Sequence, residues 1–169
     1  MNDTGLTTER ADLLDTLAKH RWLFRNTVAG LTDEQAASTP TPSELCLGGL
    51  IKHVTRMETR WAGFLLDGPA AMAMTEDSYA EHSASFRMLP GETLASLLDD
   101  YEEVAQRTDA LIATVDLDAT QPLPEAPWFE PGAHWTARRV CLHLVAELTQ
   151  HAGHADILRE AIDGQKSMG

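Results

Sequence analysis

Twelve residues near the C-terminus, His143 to His154, read HLVAELTQHAGH and place three histidines and a glutamate inside an apolar helical pattern. Four apolar residues around them follow the three- and four-residue spacing of one helix face, namely Val140, Leu144, Leu158 and Ile162. Glu147, His151 and His154 lie on that same face, so the pattern predicts a core-facing helix that carries ionisable side chains. Burying an unpaired carboxylate costs several kcal/mol, so Glu147 must be paired, protonated or bound to a metal.

Glu147 and His151 are four residues apart, so their side chains project from neighbouring turns of the helix toward a common point. A divalent metal at that point would satisfy both groups and remove the cost of burying the carboxylate. A simple ion pair on a surface face has the same spacing, so the spacing alone leaves both interpretations open.

The composition is typical of a single globular domain that covers residues 1–169, with 43% hydrophobic residues. A formal net charge of −13 disfavours binding to nucleic acid and to anionic membrane surfaces. No apolar run reaches the roughly 18 residues of a membrane-spanning helix. The polar first ten residues do not have the pattern of a signal peptide. We therefore expect a cytoplasmic protein.

Four long helices are predicted, over residues 8–29, 47–66, 92–115 and 136–162, and strand patterns are nearly absent. The fold class is therefore all-α, most simply a four-helix bundle. The long connection over residues 67–91 allows the third helix to lie anywhere relative to the second, including parallel to it. Gly48 and Gly49 either weaken the first turn of the second helix or let another backbone approach it closely.

A third candidate ligand, His53, falls in the apolar stripe of the second long helix, which holds Leu50, Met57, Trp61 and Phe64. Two histidines and a carboxylate from two helices suit zinc with an open fourth position, and also nickel, iron or manganese. A lone histidine on an apolar face is more often a hydrogen-bonded core residue. The metal interpretation rests on three ligand-type groups at core-facing positions of two helices.

The remaining histidines and the aromatic loop have weaker patterns. His143 lies at the edge of the stripe, outside the predicted ligand set, and His154 would support the site by a hydrogen bond to a ligand or substrate. Three further histidines are expected at the surface, namely His20, His82 and His134. Trp128, Phe129 and Trp135, in the loop over residues 116–135, form either a plug over the bundle end or the wall of a binding cleft.

Two stretches, GLIKHVTRME at 49–58 and ELTQHAGHADILREAIDG at 147–164, resemble the DinB-like (YfiT-like) superfamily. Within that superfamily, the chain resembles small actinobacterial proteins similar to mycothiol-dependent maleylpyruvate isomerase. The resemblance implies a four-helix bundle that binds a metal through His53, Glu147 and His151. His154 stands where many relatives have glutamine, which leaves its role open.

The resemblance also implies a chemistry, in which the metal activates a low-molecular-weight thiol such as mycothiol or bacillithiol for attack on a small electrophile. The leading hypothesis is therefore a thiol S-transferase or a thiol-dependent isomerase, with Trp128 and Trp135 shaping the electrophile pocket. One alternative is a hydrolase that uses a metal-bound hydroxide, with His143 or His154 as the base. Another is a metal- or ligand-binding bundle without enzymatic activity. A homodimer is also possible, with Trp22 and Trp61 either at its contact or in the core.

Overall fold

The computed structural model describes residues 6–73 and 82–167, and these ranges are mostly helical. Four long helices form the body of the molecule: α1 (Thr8–Asn26), α3 (Leu47–Asp67), α4 (Leu94–Thr114) and α5 (Ala137–Asp163). Between α1 and α3 lies a short helix, α2 (Asp33–Ala37), and a 3-10 turn over Gly68–Met72 follows α3. The predicted all-α fold class is confirmed. None of the helices in the described ranges is long and apolar enough to cross a lipid bilayer.

Threonine side chains begin α1, α2, α4 and α5, because a hydroxyl oxygen can accept one of the backbone N–H groups that have no partner within the helix. At the start of α3 the Cys46 sulfur takes this role and accepts from the Gly49 backbone N–H. The hydroxyl of Thr136 accepts from the Arg139 backbone N–H at 3.1 Å and starts α5. Thr32 and Gln35 form a capping box at the start of α2. At its other end α5 stops at Gly164, whose φ of 78° disfavours any residue with a side chain.

Each long helix packs against two others: α3 against α4 and α5, and α1 against the same pair. The bundle interior holds two apolar clusters along its length. The first contains Phe24, Val28, Leu47, Leu50, Ile51, Val54, Leu94, Leu97, Tyr101, Leu148, Ala155 and Leu158, with Ala36 from α2. The second contains Leu17, Trp61, Phe64, Leu65, Ile112, Leu117, Ala137, Val140, Cys141 and Leu144.

Polar side chains interrupt the core where these two clusters meet. Arg21 of α1 lies between Leu17 and Phe24, which belong to different clusters, and Glu58 of α3 lies between Val54 and Trp61. Both polar side chains are buried. On α5, Glu147 stands between Leu144 and Leu148, which also divide between the clusters. The bundle therefore contains a polar layer across its middle, and Glu147 belongs to it, whereas His53 and His151 each stand between residues of the first cluster.

The connection between α3 and α4 folds back onto the start of α3. A Cβ atom at Gly49 would lie 2.0 Å from the backbone oxygen of Phe86, and one at Gly48 would lie 2.2 Å from Met88 Sδ. Gly49 therefore serves the second of the two expected roles, a close backbone approach, while Gly48 makes room for the Met88 side chain. Residues 74–81 of this connection lie outside the described residues.

The loop before α5 contains a short antiparallel strand pair that the sequence pattern did not indicate. Strand β1 (Thr120–Pro122) pairs with β2 (His134–Thr136), and Gln121 stands opposite Trp135. The ladder is three residues long, too short for the alternating pattern by which a strand is recognised in a sequence. Its consequence is positional, because it fixes Trp135 directly before the first turn of α5.

Candidate functional site

The imidazole of His53 lies inside the bundle, with 9% of the residue exposed. Its Nδ1 atom is 3.4 Å from the hydroxyl oxygen of Ser85, and the Phe86 ring stacks on it with centroids 4.1 Å apart. Burial first, and then the neighbouring imidazoles of His151 and His82, lower the pKa of His53 to about 4. His53 is therefore uncharged at neutral pH, which is the form that can bind a metal.

Glu147 and His151 meet one turn apart on α5, as the sequence predicts. His151 Nε2 lies 3.7 Å from Glu147 Oε2, and the His151 ring centroid lies 4.8 Å from that of His53. The 3.7 Å separation is longer than a hydrogen bond. The interaction with His151 lowers the pKa of the Glu147 carboxyl despite its partial burial, so the carboxylate is charged at neutral pH. The structure thus brings His53, Glu147 and His151 together.

His143 connects this trio to an aromatic cluster. Its Nε2 atom lies 3.7 Å from Glu147 Oε1, so the carboxylate stands between two imidazoles. On its other side, the His143 ring packs edge-on against Trp61 and Trp135, with centroid distances of 4.6 and 5.2 Å. Burial lowers the pKa of His143 and the charge of Glu147 opposes that shift. His143 is closer to the predicted ligands than its place at the stripe edge indicated.

His154 lies on the opposite side of His151 from Glu147 along α5. The two imidazole rings are 5.6 Å apart between centroids. Among the described residues, the buried Nδ1 atoms of His154 and of His151 have no hydrogen-bond partner. The hydrogen bond from His154 to a ligand or substrate therefore remains a prediction.

The predicted substrate-binding tryptophans occupy different environments. Trp135 stacks on Trp61 with centroids 5.0 Å apart and an interplanar angle of 10°, and the Arg139 guanidinium lies 4.5 Å from the Trp135 ring centroid. Trp128 is 71% exposed and packs edge-on against Phe129 at 6.2 Å. Trp135 thus lies beside His143 in the site wall, whereas Trp128 lies at the surface. Trp61 is a core residue, which removes it as a candidate dimer contact.

The sequence pattern missed His82. Its side chain is exposed as predicted, yet its ring lies 5.7 Å from His53 and packs edge-on against Phe86 at 5.4 Å. Partial burial and the positive charges of Arg56 and Arg60 lower its pKa. No periodicity surrounds His82 in the sequence, so only the return of the connection onto α3 reveals its position.

The donor types suit a divalent metal in chemistry, and one pair of donors, on Glu147 and His151, also suits it in spacing. Two ligands of a tetrahedral zinc ion, each about 2.1 Å from it, are roughly 3.4 Å apart. The 3.7 Å between His151 Nε2 and Glu147 Oε2 is close to that value. Within residues 6–73 and 82–167, no group of three or more His, Cys, Asp or Glu side chains is arranged to enclose a metal ion.

The described residues form a helical bundle with a polar layer across its interior. A family model described as mycothiol-S-transferase matches residues 12–164, and the chain therefore belongs to this DinB-like family. The predicted resemblance to the DinB-like superfamily is confirmed. No curated protein matches the chain in a sequence comparison.

A solved structure from Enterococcus faecalis, described as a conserved protein of locus, is similar to this one. The likeness has a TM-score of 0.65 and covers 90% of this chain and 96% of the other. The two sequences are 17% identical, so the likeness concerns the fold alone.

Proposed function

We propose that this protein is a metal-dependent thiol S-transferase that joins a low-molecular-weight thiol, mycothiol or a close analogue, to a small electrophile. His53, Glu147 and His151 would hold the metal, with zinc first and nickel, iron or manganese as the other candidates. The observation that carries the proposal is the approach of the buried His53 of α3 to His151 and Glu147 of α5. Membership of the mycothiol S-transferase family supports the choice of thiol.

Binding a metal would require small rotations of the three side chains, because the donors are adjacent in pairs but do not yet enclose a common point. The charge states of His53 and Glu147 favour the binding of a cation. His53 carries no charge to be displaced, since its pKa is about 4, and Glu147 is ionised and supplies a negative charge. A cation would also compensate the cost of keeping that carboxylate partly buried.

A divalent metal lowers the pKa of a thiol bound to it, so that the thiol is present as thiolate at neutral pH. In the transfer, the sulfur would form a bond to the electrophilic carbon while the bond between that carbon and its leaving group breaks. The leaving group keeps the electron pair of that bond, and the thiol proton passes to solvent or to the leaving group. The chain's own contribution is to shape the cleft. Trp135, whose ring is backed by the buried Trp61, presents an apolar surface beside His143 against which an apolar electrophile would pack while water is excluded.

Metal analysis of the isolated protein by mass spectrometry tests the metal site. We expect about one divalent ion per chain, and we expect His53→Ala and His151→Ala to lose it. His134→Ala is the matched control, because His134 is an exposed residue whose ring bonds to the backbone oxygen of Gly132 in its own loop. A metal content that is equal in all four proteins would contradict the ligand assignment.

Calorimetric titration of the metal-loaded protein with mycothiol, bacillithiol and coenzyme A tests the thiol. Binding of none of the three would exclude the transferase, and turnover of an ester without any thiol would favour the hydrolase alternative. Product mass separates the remaining possibilities, because a transferase leaves the thiol in the product and an isomerase releases it. If the protein binds the metal and a thiol but forms no product, the non-enzymatic alternative is favoured.

We also propose a cytoplasmic homodimer. The cytoplasm keeps low-molecular-weight thiols reduced. Trp22, on α1, is 62% exposed, and large aromatic side chains are enriched at protein interfaces. Light scattering after size exclusion would give twice the chain mass for the wild type and the single mass for Trp22→Ala. A monomeric wild type would remove the dimer from the proposal.

A further inference from the structure

We infer that Ser85 is a positioning residue, which holds His53 in the tautomer that carries its proton on Nδ1 and leaves Nε2 free as the ligand atom. Ser85 belongs to the connection between α3 and α4 and is 1% exposed. The use of Nε2 by a metal rests on the proposed function, whereas the tautomer itself follows from the hydrogen bonds of the metal-free chain.

The assignment follows from counting protons at the Ser85 hydroxyl. Its oxygen lies 2.6 Å from the backbone oxygen of His82, and a carbonyl oxygen only accepts, so the hydroxyl donates its one proton there. The same hydroxyl oxygen lies 3.4 Å from His53 Nδ1. With its proton already used, the oxygen can only accept from that nitrogen. Nδ1 therefore carries the proton, and in a neutral imidazole Nε2 then has a free lone pair.

Two contacts and the burial of Ser85 keep this arrangement in place. The Phe86 ring lies nearly parallel to the His53 imidazole, at 4.1 Å between centroids and 22° between planes, which limits rotation of the imidazole. The backbone of Phe86 rests on Gly49, where a Cβ atom would collide with it. Burial of Ser85 keeps water from competing for its hydroxyl. The connection between α3 and α4 thus orients His53 through Ser85 and Phe86 together.

His151 receives no comparable support. Its buried Nδ1 atom has no hydrogen-bond partner among the described residues. Histidines that bind metals usually donate their second ring N–H to a nearby acceptor, and removing that acceptor costs about 10- to 100-fold in metal affinity. Of the two candidate histidine ligands, His53 is therefore the one whose orientation is fixed before any metal binds.

Long-range proton–nitrogen NMR of the metal-free protein at neutral pH tests the tautomer directly, because it distinguishes a protonated from an unprotonated ring nitrogen. We expect the wild type to show Nδ1 protonated and Nε2 unprotonated for His53. We expect Ser85→Ala to show a mixture of both tautomers. Protonation of Nε2 in the wild type would overturn the inference, as would an unchanged tautomer in Ser85→Ala.

Calorimetric titration with Zn²⁺ tests the consequence for metal binding. Ser85→Ala should bind zinc about 10- to 100-fold more weakly than the wild type. Ser83→Ala is the matched control, since Ser83 is exposed two residues away and should keep the wild-type affinity. Equal affinity in all three proteins would contradict the role of Ser85. A wild type that binds no zinc would instead contradict the proposed function, while the NMR result would still decide the tautomer.

Discussion

The guanidinium of Arg21 and the carboxylate of Glu58 form an ion pair in the interior of the bundle, with Nη2 2.5 Å from Oε1. Asp109 of α4 also accepts from Arg21, at 2.7 Å from Nη1, so one cation joins three helices. The Glu58 side chain is 2% exposed. Such a pair contributes less net stability than its geometry implies, but removing one partner leaves a buried charge uncompensated.

We therefore predict that Glu58→Gln destabilises the protein strongly. Loss of the carboxylate should lower the free energy of unfolding by about 3 kcal/mol, near the lower end for a broken buried pair because Asp109 still compensates Arg21. Urea unfolding followed by circular dichroism measures the change. Glu103→Gln is the matched control, since it breaks an exposed pair with Arg107 and should cost about 0.5 kcal/mol or less. Similar losses in both variants would disprove the special role of the buried pair.

A second prediction concerns the docking of the connection between α3 and α4. Gly49→Ala places a Cβ atom 2.0 Å from the Phe86 oxygen, so the connection must move, at a cost of at least about 1 kcal/mol in unfolding free energy. The control is Gly153→Ala on α5, where nothing lies within 4 Å of the added atom. That variant should gain roughly 0.5–1 kcal/mol from helix propensity. The expected changes in unfolding free energy have opposite signs, which separates the steric effect at Gly49 from helix propensity. A gain in stability in both variants would refute the steric effect.

The third prediction concerns pH and the metal-free protein. The pKa of His53 is about 4 in the folded state against 6.5 as its ordinary value. Between pH 6.5 and pH 4, His53 is protonated in the unfolded chain and unprotonated in the folded chain. The stability contribution of the neutral imidazole is therefore present above pH 6.5 and is lost as the pH falls toward 4, by roughly 3 kcal/mol in all.

Urea unfolding at pH 7 and at pH 5 measures this effect. The free energy of unfolding should fall less between pH 7 and pH 5 in His53→Gln than in the wild type, by roughly 2 kcal/mol. The reason is that the variant no longer has the imidazole that takes up a proton on unfolding. His134→Gln removes an exposed histidine and should decline as the wild type does. A His53→Gln variant with the wild-type decline would show that His53 is not held neutral.

A fourth prediction separates the two candidate substrate-binding tryptophans. Trp135→Ala removes one side of the stack on Trp61 and should raise KM for the electrophile about tenfold, the effect of losing roughly 1.4 kcal/mol of apolar contact. Steady-state rates at fixed thiol and varied electrophile give this value. Trp128→Ala should leave KM within about twofold, because Trp128 is exposed and packs against Phe129 only at its edge. An equal rise in KM in both variants would indicate that Trp128 contacts the substrate as Trp135 does.

The prediction of the helices succeeded because the relevant signals are local. Apolar spacing and glycine stops act within a few residues, so the second long helix is predicted over residues 47–66 and lies over Leu47–Asp67, with Gly68 directly after it. The same spacing predicted that His53, Glu147 and His151 face the interior. Their direction relative to the helix axis is a property of each helix alone.

Contacts between helices could not be read in the same way. Nothing in the sequence pairs Arg21 with Glu58, since the pair depends on the relative height of α1 and α3 in the bundle. Trp135 meets Trp61 because the short strand pair β1–β2 holds the loop before α5. Such contacts arise from packing over long sequence separations, where a pattern of period three or four carries no information.

The sequence by itself determined an all-α bundle and the faces on which the candidate ligands lie, because helix periodicity and capping are short-range effects. Only the tertiary structure decided what surrounds those ligands. The connection between α3 and α4 packs against Gly48 and Gly49, and this brings Ser85, Phe86 and His82 to His53. The path of the connection depends on these close contacts and not on any repeating sequence pattern.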